Sequence, residues 1–428
     1  MFRLIRPAKF ATHRSVWLGV ALIGLTGNAQ VIPAGGGGNG ASTGALASLS
    51  VTSFGAVGDG TTNDAPAITK AIEACAARTF PHNGCELYFP SGIYRIAAGL
   101  TLPSYVHIKG EGWATSVIQL APNTSADVLS IPAGTMNFSV TGVTLDGNAS
   151  HGGRGNCLSV LANPNGPNHI NTANKQTAPT NGYKDGYFAE DMFSNCSNDG
   201  ISIVAYSFEL WFDNFFVYNN GVYGIFTQGT DSLFSNFVSE RNGTAGLYVT
   251  NANNKFVNAK IIWNGFTDSS QAAVVARAPR NIFLAIEAQD NYVSGFLDEA
   301  SDNQFIACQA DTNGYANGRN NSSSRHASGF VISGTNGVYS GDKVTDYRGH
   351  LRDGHFATEW PYTITNPQQS KIDITFDGTN QPPAVAISVP EVETPTAGHA
   401  ACIQSAGPPV MLGSCTSAID STGACTCK

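Results

Sequence analysis

The sequence predicts an all-β protein, a single-stranded parallel β-helix with rungs of about 22 residues, because three residue types recur at one interval. Phenylalanines recur in steps of 22, 22, 27 and 22 residues, at Phe212, Phe234, Phe256, Phe283 and Phe305. An asparagine follows each of them by eight residues, at Asn220, Asn242, Asn264, Asn291 and Asn313. A small residue precedes the last four phenylalanines by ten residues, at Gly224, Gly246, Ala273 and Gly295. All three columns make the 27-residue step at the same place, so they share one register.

The segments between these columns have the composition of β-strands. Runs such as 247–250 and 256–262 are rich in β-branched and aromatic residues and are bounded by Asn-Gly turns. One rung cannot bury its own apolar face, so the rungs must stack at the strand spacing of about 4.8 Å. The phenylalanines then form an internal column, and asparagine followed by glycine suits a sharp corner, since both tolerate positive φ. A leucine-rich repeat has similar length but needs a leucine frame, which the sequence lacks.

The N-terminal residues predict export. Four basic residues precede an apolar run at 16–25, and Gly27–Ala29 offers a small-residue cleavage site, so residues 1–29 are predicted to be a signal peptide. An uncleaved anchor is the alternative, although the run is short for a bilayer span. Cleavage removes four basic and no acidic residues, so the net charge of −8 becomes −12. We expect a secreted or periplasmic protein with no membrane span after cleavage, whose acidity argues against a nucleic-acid partner.

Composition divides the remaining chain into four parts. Residues 30–49 are rich in Gly, Ala, Ser and Asn and predict a flexible linker. The rungs of the β-helix are expected over 50–377. Residues 378–397 are rich in proline and predict a second linker, and residues 398–428 form a cysteine-rich tail.

Nine cysteines suit an oxidising compartment, and an odd number leaves at least one of them outside any internal pair. Disulfides are predicted for the two cysteines around an early loop and the four in the tail, namely Cys75, Cys85, Cys402, Cys415, Cys425 and Cys427. A zinc site in the tail is the alternative, but no ordered pair of Cys-x-x-Cys motifs is present, so no metal site is predicted there. Cys308 falls within a rung and is expected to be buried and inert.

The first residues after the linker predict a cap for the solenoid. A short helix is expected over 65–77, beginning after a cap at Thr62 or Asn63 and burying the face that carries Ile68 and Ile72. Such a helix covers the open end of the β-helix, where strand edges would otherwise be unpaired.

Three segments within residues 50–150 carry a family pattern. They are 54–64 (Phe-Gly-Ala-Val-Gly-Asp-Gly-Thr-Thr-Asn-Asp), 87–94 (Leu-Tyr-Phe-Pro-Ser-Gly-Ile-Tyr) and 108–113 (Ile-Lys-Gly-Glu-Gly-Trp). Together they resemble the N-terminal module of the pectate lyase superfamily, which includes rhamnogalacturonase- and epimerase-like proteins, polygalacturonase relatives and phage tailspikes. The resemblance implies a right-handed β-helix and a carbohydrate-directed role. Because these residues build the cap and the first rungs, the reaction must be inferred from a site.

Two insertions fall at one corner of the predicted solenoid. The extra residues of the 27-residue step lie between Asn264 and Ala273, and a second insertion occupies 315–326, two rungs further on. Insertions on one face often mark the binding side, so we expect a groove between these loops. Loop growth without a function is the alternative interpretation.

The register also separates charges that stack on one another from charges that do not. Three opposite-charge pairs occupy one column on adjacent rungs and predict ion-pair ladders, each worth about 0–1 kcal/mol where exposed: Lys260 with Glu287, Arg277 with Glu299, and Arg280 with Asp302.

Three carboxylates then remain near the insertion corner and are the predicted catalytic residues: Glu240, Asp290 and Asp311. Asp290 and Asp311 lie on adjacent rungs, so their backbones should be about 5 Å apart. Carboxylates about 5–5.5 Å apart suit retaining glycoside hydrolysis, and about 6.5–9.5 Å suits inversion. Neighbouring strand positions face opposite ways, so only a corner would let both side chains point outward.

The same corner supplies the predicted substrate-binding residues. Aromatic faces stack on sugar rings and arginine binds uronate, and the residues of these types lie in the same columns or in the second insertion: Tyr218, Arg241, Trp263, Arg319, Arg325 and His326. A solvated polar corner, with calcium as its ligand, is the alternative interpretation, and calcium is the one cofactor considered.

Two other aspartates are not predicted to be catalytic. Asp298 falls in an inward-facing column, where an unpaired carboxylate is costly, so it is expected either to point outward or to mark a register slip. Asn198-Asp199-Gly200 resembles part of the polygalacturonase motif Asn-Thr-Asp-Gly. Asp199 nevertheless falls 22 residues before the corner glycine Gly221, so a turn role is expected for it.

The resulting prediction is a carbohydrate-active β-helix protein that binds and cleaves a polysaccharide by glycoside hydrolysis with paired carboxylates. The nearest alternative is a lyase acting by β-elimination on a uronate glycan, with Arg325 or His326 as base and Arg241 or calcium neutralising the carboxylate. A non-catalytic glycan-binding or adhesion module is the alternative from another class. The sequence makes no prediction of the oligomeric state.

Overall fold

The computed structural model is a parallel β-helix, which confirms the predicted fold class. It describes residues 47–78, 84–161, 183–205, 207–267, 272–314, 327–345, 360–365, 370–376 and 386–387. Within these residues, 18 strands form one sheet, called sheet A, and 11 strands form a second, called sheet B. Neighbouring rungs pair in parallel throughout, as in Phe234↔Phe256 of sheet A and Leu247↔Val274 of sheet B. The chain therefore alternates between the two sheets, as a solenoid requires.

The secondary structure consists of 29 strands in the described part of the chain, one α-helix and two short 3₁₀ turns at Val51–Phe54 and Ala149–His151. The first half contains β1 Ala47–Ser50, β2 Asp59–Asn63, α1 Ala65–Ala76, β3 Cys85–Phe89, β4 Gly92–Ile96, β5 Leu100–Thr101, β6 Val106–Gly110, β7 Ser116–Leu120, β8 Leu129–Ile131, β9 Phe138–Thr141, β10 Thr144–Asp146, β11 Leu158–Val160, β12 Tyr183–Ala189, β13 Met192–Ser194 and β14 Ile201–Ile203. The second half contains β15 Phe208–Tyr218, β16 Tyr223–Thr227, β17 Leu233–Glu240, β18 Ala245–Val249, β19 Lys255–Ile262, β20 Ala272–Ala276, β21 Ile282–Gln289, β22 Ser294–Asp298, β23 Gln304–Ile306, β24 Gln309–Asp311, β25 Ser328–Ile332, β26 Val338–Thr345, β27 Trp360–Ile364, β28 Lys371–Phe376 and β29 Ala386–Ile387.

The phenylalanine column forms the centre of the core, as its spacing predicts. All five rings are fully buried, and the centroids of successive rings lie 4.9, 4.9, 5.2 and 4.5 Å apart in nearly parallel planes. Phe188 and Tyr339 extend the stack by one ring at each end. Burying each such ring contributes roughly 1.5–3 kcal/mol, and the repetition fixes the register of every rung.

The asparagine column forms a buried hydrogen-bond ladder. The sequence suggested a different role, in which these asparagines would form the corners through positive φ. The side-chain Nδ2 of each asparagine donates to Oδ1 of the next, at 3.0, 2.9, 3.1 and 2.9 Å from Asn220 to Asn313. The residue before each asparagine carries the positive φ instead, for example Arg241 at 57° and Trp263 at 56°. Asparagine is required here because its amide both donates and accepts along the stack.

A second buried ladder was not recognised from the sequence. The backbone N–H of Asn254 donates to Asn281 Oδ1 at 2.9 Å, and that of Asn281 donates to Asn303 Oδ1 at 2.8 Å. These asparagines stand two residues before three phenylalanines of the core column, so the same period could have revealed them.

Asp298 terminates this second ladder, and both expectations for it were wrong. It points inward and is 1% exposed, with its register intact. Asn303 Nδ2 donates to Asp298 Oδ1 at 2.7 Å, and the Tyr339 hydroxyl donates to Oδ2 at 2.5 Å. Burial raises the pKa of Asp298, while these hydrogen bonds act in the opposite direction. A buried carboxylate is tolerated here because each oxygen has a donor.

The N-terminal family pattern is structural. The Asp64 carboxylate accepts the backbone N–H of Val57 at 2.7 Å and of Gly58 at 3.0 Å, which closes the loop before α1. Asp64 also occupies the N-cap position, in place of the predicted Thr62 or Asn63. Helix α1 buries Ile68 and Ile72 as predicted, and the predicted disulfide joins its Cys75 to Cys85 of β3.

The ends of the solenoid extend beyond the predicted boundaries. Strand β1 begins at Ala47, three residues inside the predicted linker 30–49, and β29 at Ala386–Ile387 lies within the predicted linker 378–397 and pairs with β27. The predicted signal peptide at 1–29 and the tail at 398–428, with Cys402, Cys415, Cys425 and Cys427, lie outside the described residues. In the part that the structure describes, no helix is both long and apolar enough to cross a membrane.

One buried carboxylate in the core carries a prediction about stability. Asp191 is 0% exposed, its Oδ1 accepts the Val143 N–H at 3.0 Å, and its Oδ2 has no hydrogen-bond partner among the described residues. Burial raises its pKa well above the ordinary value of 3.8, so the folded protein resists ionisation that the unfolded chain undergoes. Stability is therefore lost as the pH rises above about 4 towards the folded pKa. Asp191→Asn is expected to raise the free energy of unfolding by about 1–3 kcal/mol at pH 7, with no gain below pH about 4.

Thermal melting of both proteins between pH 3.5 and 7.5 checks this expectation, with the exposed Asp231→Asn as the matched control. A variant no more stable than the wild type at pH 7 would show that Asp191 is not held neutral by burial.

Candidate functional site

The predicted catalytic and binding residues at the corner after sheet A lie together in one strip. Two columns form it, with one residue from each rung in each column. The first contains Tyr218, Glu240, Ile262, Gln289 and Asp311, and the second contains Asn219, Arg241, Trp263, Asp290 and Thr312. Four rung spacings, about 19 Å, separate the ends of this corner strip.

Two kinds of contact order the corner strip. Arg241 Nε lies 3.3 Å from Glu240 Oε1, and its guanidinium carbon lies 4.9 Å from the centroid of the Trp263 ring. Asp290 adopts a positive φ of 54°, so the rule that neighbouring strand residues face opposite ways does not apply to it. Its N–H donates to the Asp311 carbonyl at 3.0 Å. Asp290 and Asp311 are nevertheless only 1% and 6% exposed, so the protein covers both carboxylates.

The predicted ion-pair ladders are confirmed for two pairs of the three. Lys260 Nζ lies 3.3 Å from Glu287 Oε2, and Arg277 Nε lies 2.5 Å from Glu299 Oε2. The third prediction was wrong, because Asp302 accepts a hydrogen bond from Asn336 Nδ2 and forms no ion pair with Arg280 in the part of the chain described. Both residues of that pair have positive φ, so their side chains do not follow the alternation of a regular strand.

The insertion loops are described only in part. The register across the 27-residue step is as predicted, since Phe256 pairs with Phe283. Phe266, which begins the first insertion, is 49% exposed and packs edge-on against Tyr292. The second insertion, with Arg319, Arg325 and His326, lies outside the described residues, so their substrate-binding role stays a prediction.

A second pair of carboxylates, Asp127 and Asp199, lies beside sheet B. From the sequence, a turn role was expected for Asp199 and no role was assigned to Asp127. Asp127, Asn156, Asp199 and Tyr223 occupy one column, each two residues before the paired positions Leu129, Leu158, Ile201 and Ile225. Asp199 therefore aligns with Tyr223. The alignment with Gly221 that the sequence suggested was wrong. The reason is a rung of 24 residues, in which the Cys196 N–H donates to Asn220 Oδ1.

Hydrogen bonds hold Asp127 over the outer face of sheet B. Its Oδ1 accepts the Asn156 N–H at 2.7 Å, and its Oδ2 accepts the Ser159 hydroxyl at 2.7 Å. Asn156 also connects the two aspartates, because its Oδ1 accepts the Asp199 N–H at 2.9 Å. Asp127 is thus an oriented carboxylate that remains partly exposed.

Asp199 has a different electrostatic environment from Asp127. Burial raises its pKa to about 6, and the negative charge of Asp127 adds to this effect. Hydrogen bonds from the Tyr223 N–H, at 3.2 Å, and from the Ser202 hydroxyl act in the opposite direction. Near pH 6 about half of the Asp199 carboxyl groups therefore carry a proton that they can donate, and this fraction falls as the pH rises towards 7.

An open cleft borders this pair. Its walls include Asp127, Arg154, Ser197 and Asn198, the last of which directly precedes Asp199. Gly155 also lines the cleft and has φ of 134°. A Cβ at this position would stand 2.3 Å from the Ala126 carbonyl oxygen, so only glycine fits. We refer to this region as the sheet B cleft.

Two further features flank the sheet B cleft. A disulfide that the sequence did not predict joins Cys157, beside Asn156, to Cys196, beside Ser197, and ties the two walls together. On the next rungs of the outer face, the Tyr223 ring stacks on Phe226 at 5.5 Å and contacts Tyr248 at 4.6 Å between centroids. Aromatic rings beside a carboxylate pair are suited to hold a sugar ring.

The structure does not test calcium, which the sequence analysis considered as a possible cofactor. In the described ranges, no group of three or more His, Cys, Asp or Glu side chains is placed to hold a metal ion. Cys308 is buried, as expected, and forms no disulfide with another described cysteine, and burial raises the pKa of its thiol.

The fold places the chain among the parallel β-helix proteins, and the sheet B cleft lies beside one of its two sheets. The family model described as rhamnogalacturonase A/epimerase, pectate lyase-like matches residues 48–270, more than half of the chain, so the chain belongs to this family. The matched residues contain Asp127 and Asp199 but not Asp290 and Asp311.

Curated relatives are similar over a short part of their length. The mannuronan C5-epimerase AlgE2 of Azotobacter vinelandii is 39% identical over 110 residues, 23% of this chain and 11% of the relative. The preneck appendage protein of Bacillus phage PZA is 31% identical over 112 residues, 25% of this chain and 12% of the relative. The chain thus matches only about a tenth of each relative.

Solved structures agree with the fold. The A-module of the Azotobacter vinelandii mannuronan C-5 epimerase AlgE4 superposes with a TM-score of 0.54 and 18% identity, covering 79% of this chain and 100% of the module. The enzymatically active domain of tailspike protein 2 from bacteriophage CBA120 gives a TM-score of 0.60 and 15% identity, covering 78% and 52%. At such identities the likeness shows the β-helix alone.

Proposed function

We propose that this protein cleaves a polysaccharide by glycoside hydrolysis in the sheet B cleft, with Asp199 as general acid and Asp127 as general base. The observation that carries the proposal is a pair of aspartates that accept hydrogen bonds from neighbouring serines on one outer face. One of these aspartates, Asp199, has a pKa of about 6. Asp199 donates its proton to the glycosidic oxygen as the bond to the anomeric carbon breaks. Asp127 takes a proton from the water that attacks that carbon.

The spacing of the two aspartates supports an inverting reaction. Asn156 separates them by one rung, so their backbones are two rung spacings, about 9.6 Å, apart. Asp127 reaches one rung towards Asp199 to bind Ser159, which shortens the distance between the carboxyl groups. The resulting separation suits the range of about 6.5–9.5 Å that leaves room for a water molecule.

The surroundings of the cleft favour a polysaccharide as substrate. Arg154 supplies a cation in a protein with a net charge of −8, and Asn198 supplies an amide for sugar hydroxyls. The aromatic residues Tyr223 and Phe226 continue the surface along neighbouring rungs. The relatives named as mannuronan C5-epimerases and the tailspike domain named as enzymatically active also support a polysaccharide partner. Secretion through residues 1–29 stays part of this proposal.

Lyase or epimerase action is the second candidate function, and Arg154 is the observation that favours it. Arg154 is exposed and lines the same cleft as Asp127, where its guanidinium would neutralise the carboxylate of a uronate while a base removes the neighbouring proton. A glycan-binding module without catalysis would use the same cleft and rings.

The corner strip is a second candidate location for hydrolysis. Asp290 and Asp311 lie on adjacent rungs, and this spacing suits a retaining enzyme. Glu240 lies two rungs from Asp290 in the same strip. Their burial makes them less accessible than Asp127 and Asp199, so we place the reaction in the sheet B cleft.

The test is incubation of the protein with a panel of plant, algal and microbial polysaccharides. New reducing ends alone, with inverted anomeric configuration in the first product seen by NMR, are expected for the proposed hydrolysis. Reducing ends with near-ultraviolet absorbance would identify a lyase, and changed uronate signals without new ends would identify an epimerase. Binding without chemical change would contradict an enzymatic role.

A further inference from the structure

Sheet A carries a column of outward-facing residues in which an acid, a histidine and a serine follow one another on adjacent rungs. Glu86 of β3 pairs with His107 of β6, and His107 pairs with Ser139 of β9. Tyr187 of β12 and Trp211 of β15 continue the same column. This column lies on the other sheet from the cleft proposed above, and hydrolysis of glycosidic bonds makes no use of it.

The serine and the histidine are in direct contact. His107 Nδ1 lies 3.0 Å from Ser139 Oγ, which is the distance at which an imidazole accepts a hydroxyl proton. Burial lowers the pKa of His107, and the negative charge of Glu86 acts against this effect. The imidazole is therefore neutral near pH 7 and able to act as a base.

The carboxylate and a cation complete the arrangement. Glu86 lies one rung from His107, about 4.8 Å in backbone spacing, on the side opposite Ser139. It accepts the Ser48 hydroxyl at 3.1 Å, and Lys109 Nζ lies 3.6 Å from its other oxygen. Lys109 lies two residues after His107 on the same outward face, and its ammonium supplies a positive charge beside Glu86.

The next two residues of the column offer a surface for a sugar. Tyr187 is 41% exposed and Trp211 is 57% exposed, on the two rungs that follow Ser139. Aromatic rings that a soluble protein leaves this exposed are candidate contacts for a ligand with apolar faces, and a pyranose ring is such a ligand.

We propose that Ser139, His107 and Glu86 hydrolyse O-acyl esters on a glycan, with Ser139 as nucleophile and Glu86 as a positioning residue. Ser139 Oγ bonds to the acyl carbonyl carbon while its proton passes to His107. His107 returns that proton to the sugar oxygen as the ester bond breaks. Water then attacks the acyl-serine with His107 as base, which releases the carboxylic acid and regenerates the serine. The glycan as carrier of the ester rests on the proposed function, but the ester chemistry does not.

The experiment measures acetate release from 4-nitrophenyl acetate and from an O-acetylated polysaccharide by the full-length protein. Ser139→Ala and His107→Gln are each expected to lower release at least 100-fold. A fluorophosphonate probe is expected to label Ser139, as shown by mass spectrometry of peptides. Glu86→Gln is expected to move the acid limb of the pH profile to lower pH, because the imidazolium loses its neighbouring negative charge while Lys109 keeps its own.

Ser235→Ala is the matched control, since Ser235 is a serine of sheet A that donates to Asp213 Oδ1 at 2.7 Å and has no histidine partner in the described part of the chain. It is expected to keep full acetate release, and all variants are compared by thermal melting to show that they fold. No release by the wild type, equal release by Ser139→Ala, or labelling of another residue would each overturn the proposal. Acyl release is measured separately from cleavage of the polysaccharide chain. Failure of the ester proposal therefore leaves the proposed glycoside hydrolysis testable, and the reverse also holds.

Discussion

Replacing Asp199 with asparagine is expected to lower kcat for polysaccharide cleavage by about 100- to 10,000-fold, the contribution of a positioned general acid. The substitution keeps the size of the side chain and the oxygen that accepts the Tyr223 N–H. It removes the proton that burial retains on Asp199 up to a pKa of about 6. Steady-state kinetics on the glycan identified by the panel measure the loss. The control is Asp213→Asn, which changes a partly exposed aspartate of sheet A.

The same carboxyl group determines the expected pH dependence. Asp199 must be protonated to act as an acid, so the wild-type rate is expected to fall as the pH rises above about 6. Asp199→Asn removes this basic limb. A limb that persists unchanged in the variant would assign the acid to another residue.

The leaving group separates the roles of the two aspartates. An aryl glycoside with a good leaving group needs little acid assistance, so Asp199→Asn should recover much of its rate on such a substrate. Asp127→Asn should remain slow on both substrates, because a base is required in each case. If Asp290→Asn or Asp311→Asn abolished cleavage while Asp199→Asn did not, the reaction would belong to the corner strip.

The register of the rungs could be predicted from the sequence because a stacked solenoid repeats its core. Phe256 pairs with Phe283 and Asn264 bonds to Asn291 across the 27-residue step, as their spacing requires. Such positions are set by local packing between neighbouring rungs, which a period records directly. The corner strip followed from the same period, and its residues lie together as expected.

The sheet B cleft could not be predicted because the period fails there. The rung that ends at Asn220 has 24 residues, so the frame set by the phenylalanines misplaces Asp199 by two positions. Asp127 and Asp199 become neighbours only through Asn156, which belongs to a rung before the phenylalanine column starts. The pKa of Asp199 depends on burial by the fold, which spacing alone does not reveal.

Burial also gives the polar residues of the repeat a structural role. The sequence suggested that the asparagine column served corners, whereas Asn242, Asn264 and Asn291 are 0% exposed and bonded in series. A polar residue inside a solenoid is stable only if each donor and acceptor finds a partner on the neighbouring rung. The ladder should therefore be among the most sensitive parts of the fold.

Asn264→Ala is expected to lower the free energy of unfolding by about 3 kcal/mol or more. Asn264 Oδ1 accepts both the N–H and the Nδ2 of Asn242, each at 2.9 Å, and its Nδ2 donates to the Ser239 carbonyl at 3.0 Å. Alanine leaves these buried groups without partners, and each such group costs about 1–3 kcal/mol. Urea denaturation followed by circular dichroism measures the change.

Asn258→Gly is the matched control for this prediction, because Asn258 lies in the same rung, has φ of 53° and is exposed. Its Nδ2 donates to Asn236 Oδ1 at 2.8 Å on the surface, where water replaces the lost partner. Glycine accepts the positive φ, so a loss of no more than about 1 kcal/mol is expected. Equal losses in the two variants would show that the buried ladder is no stronger than the exposed one. A larger loss in Asn264→Ala would show that the stability of the β-helix depends on amides stacked inside it as well as on its phenylalanine column.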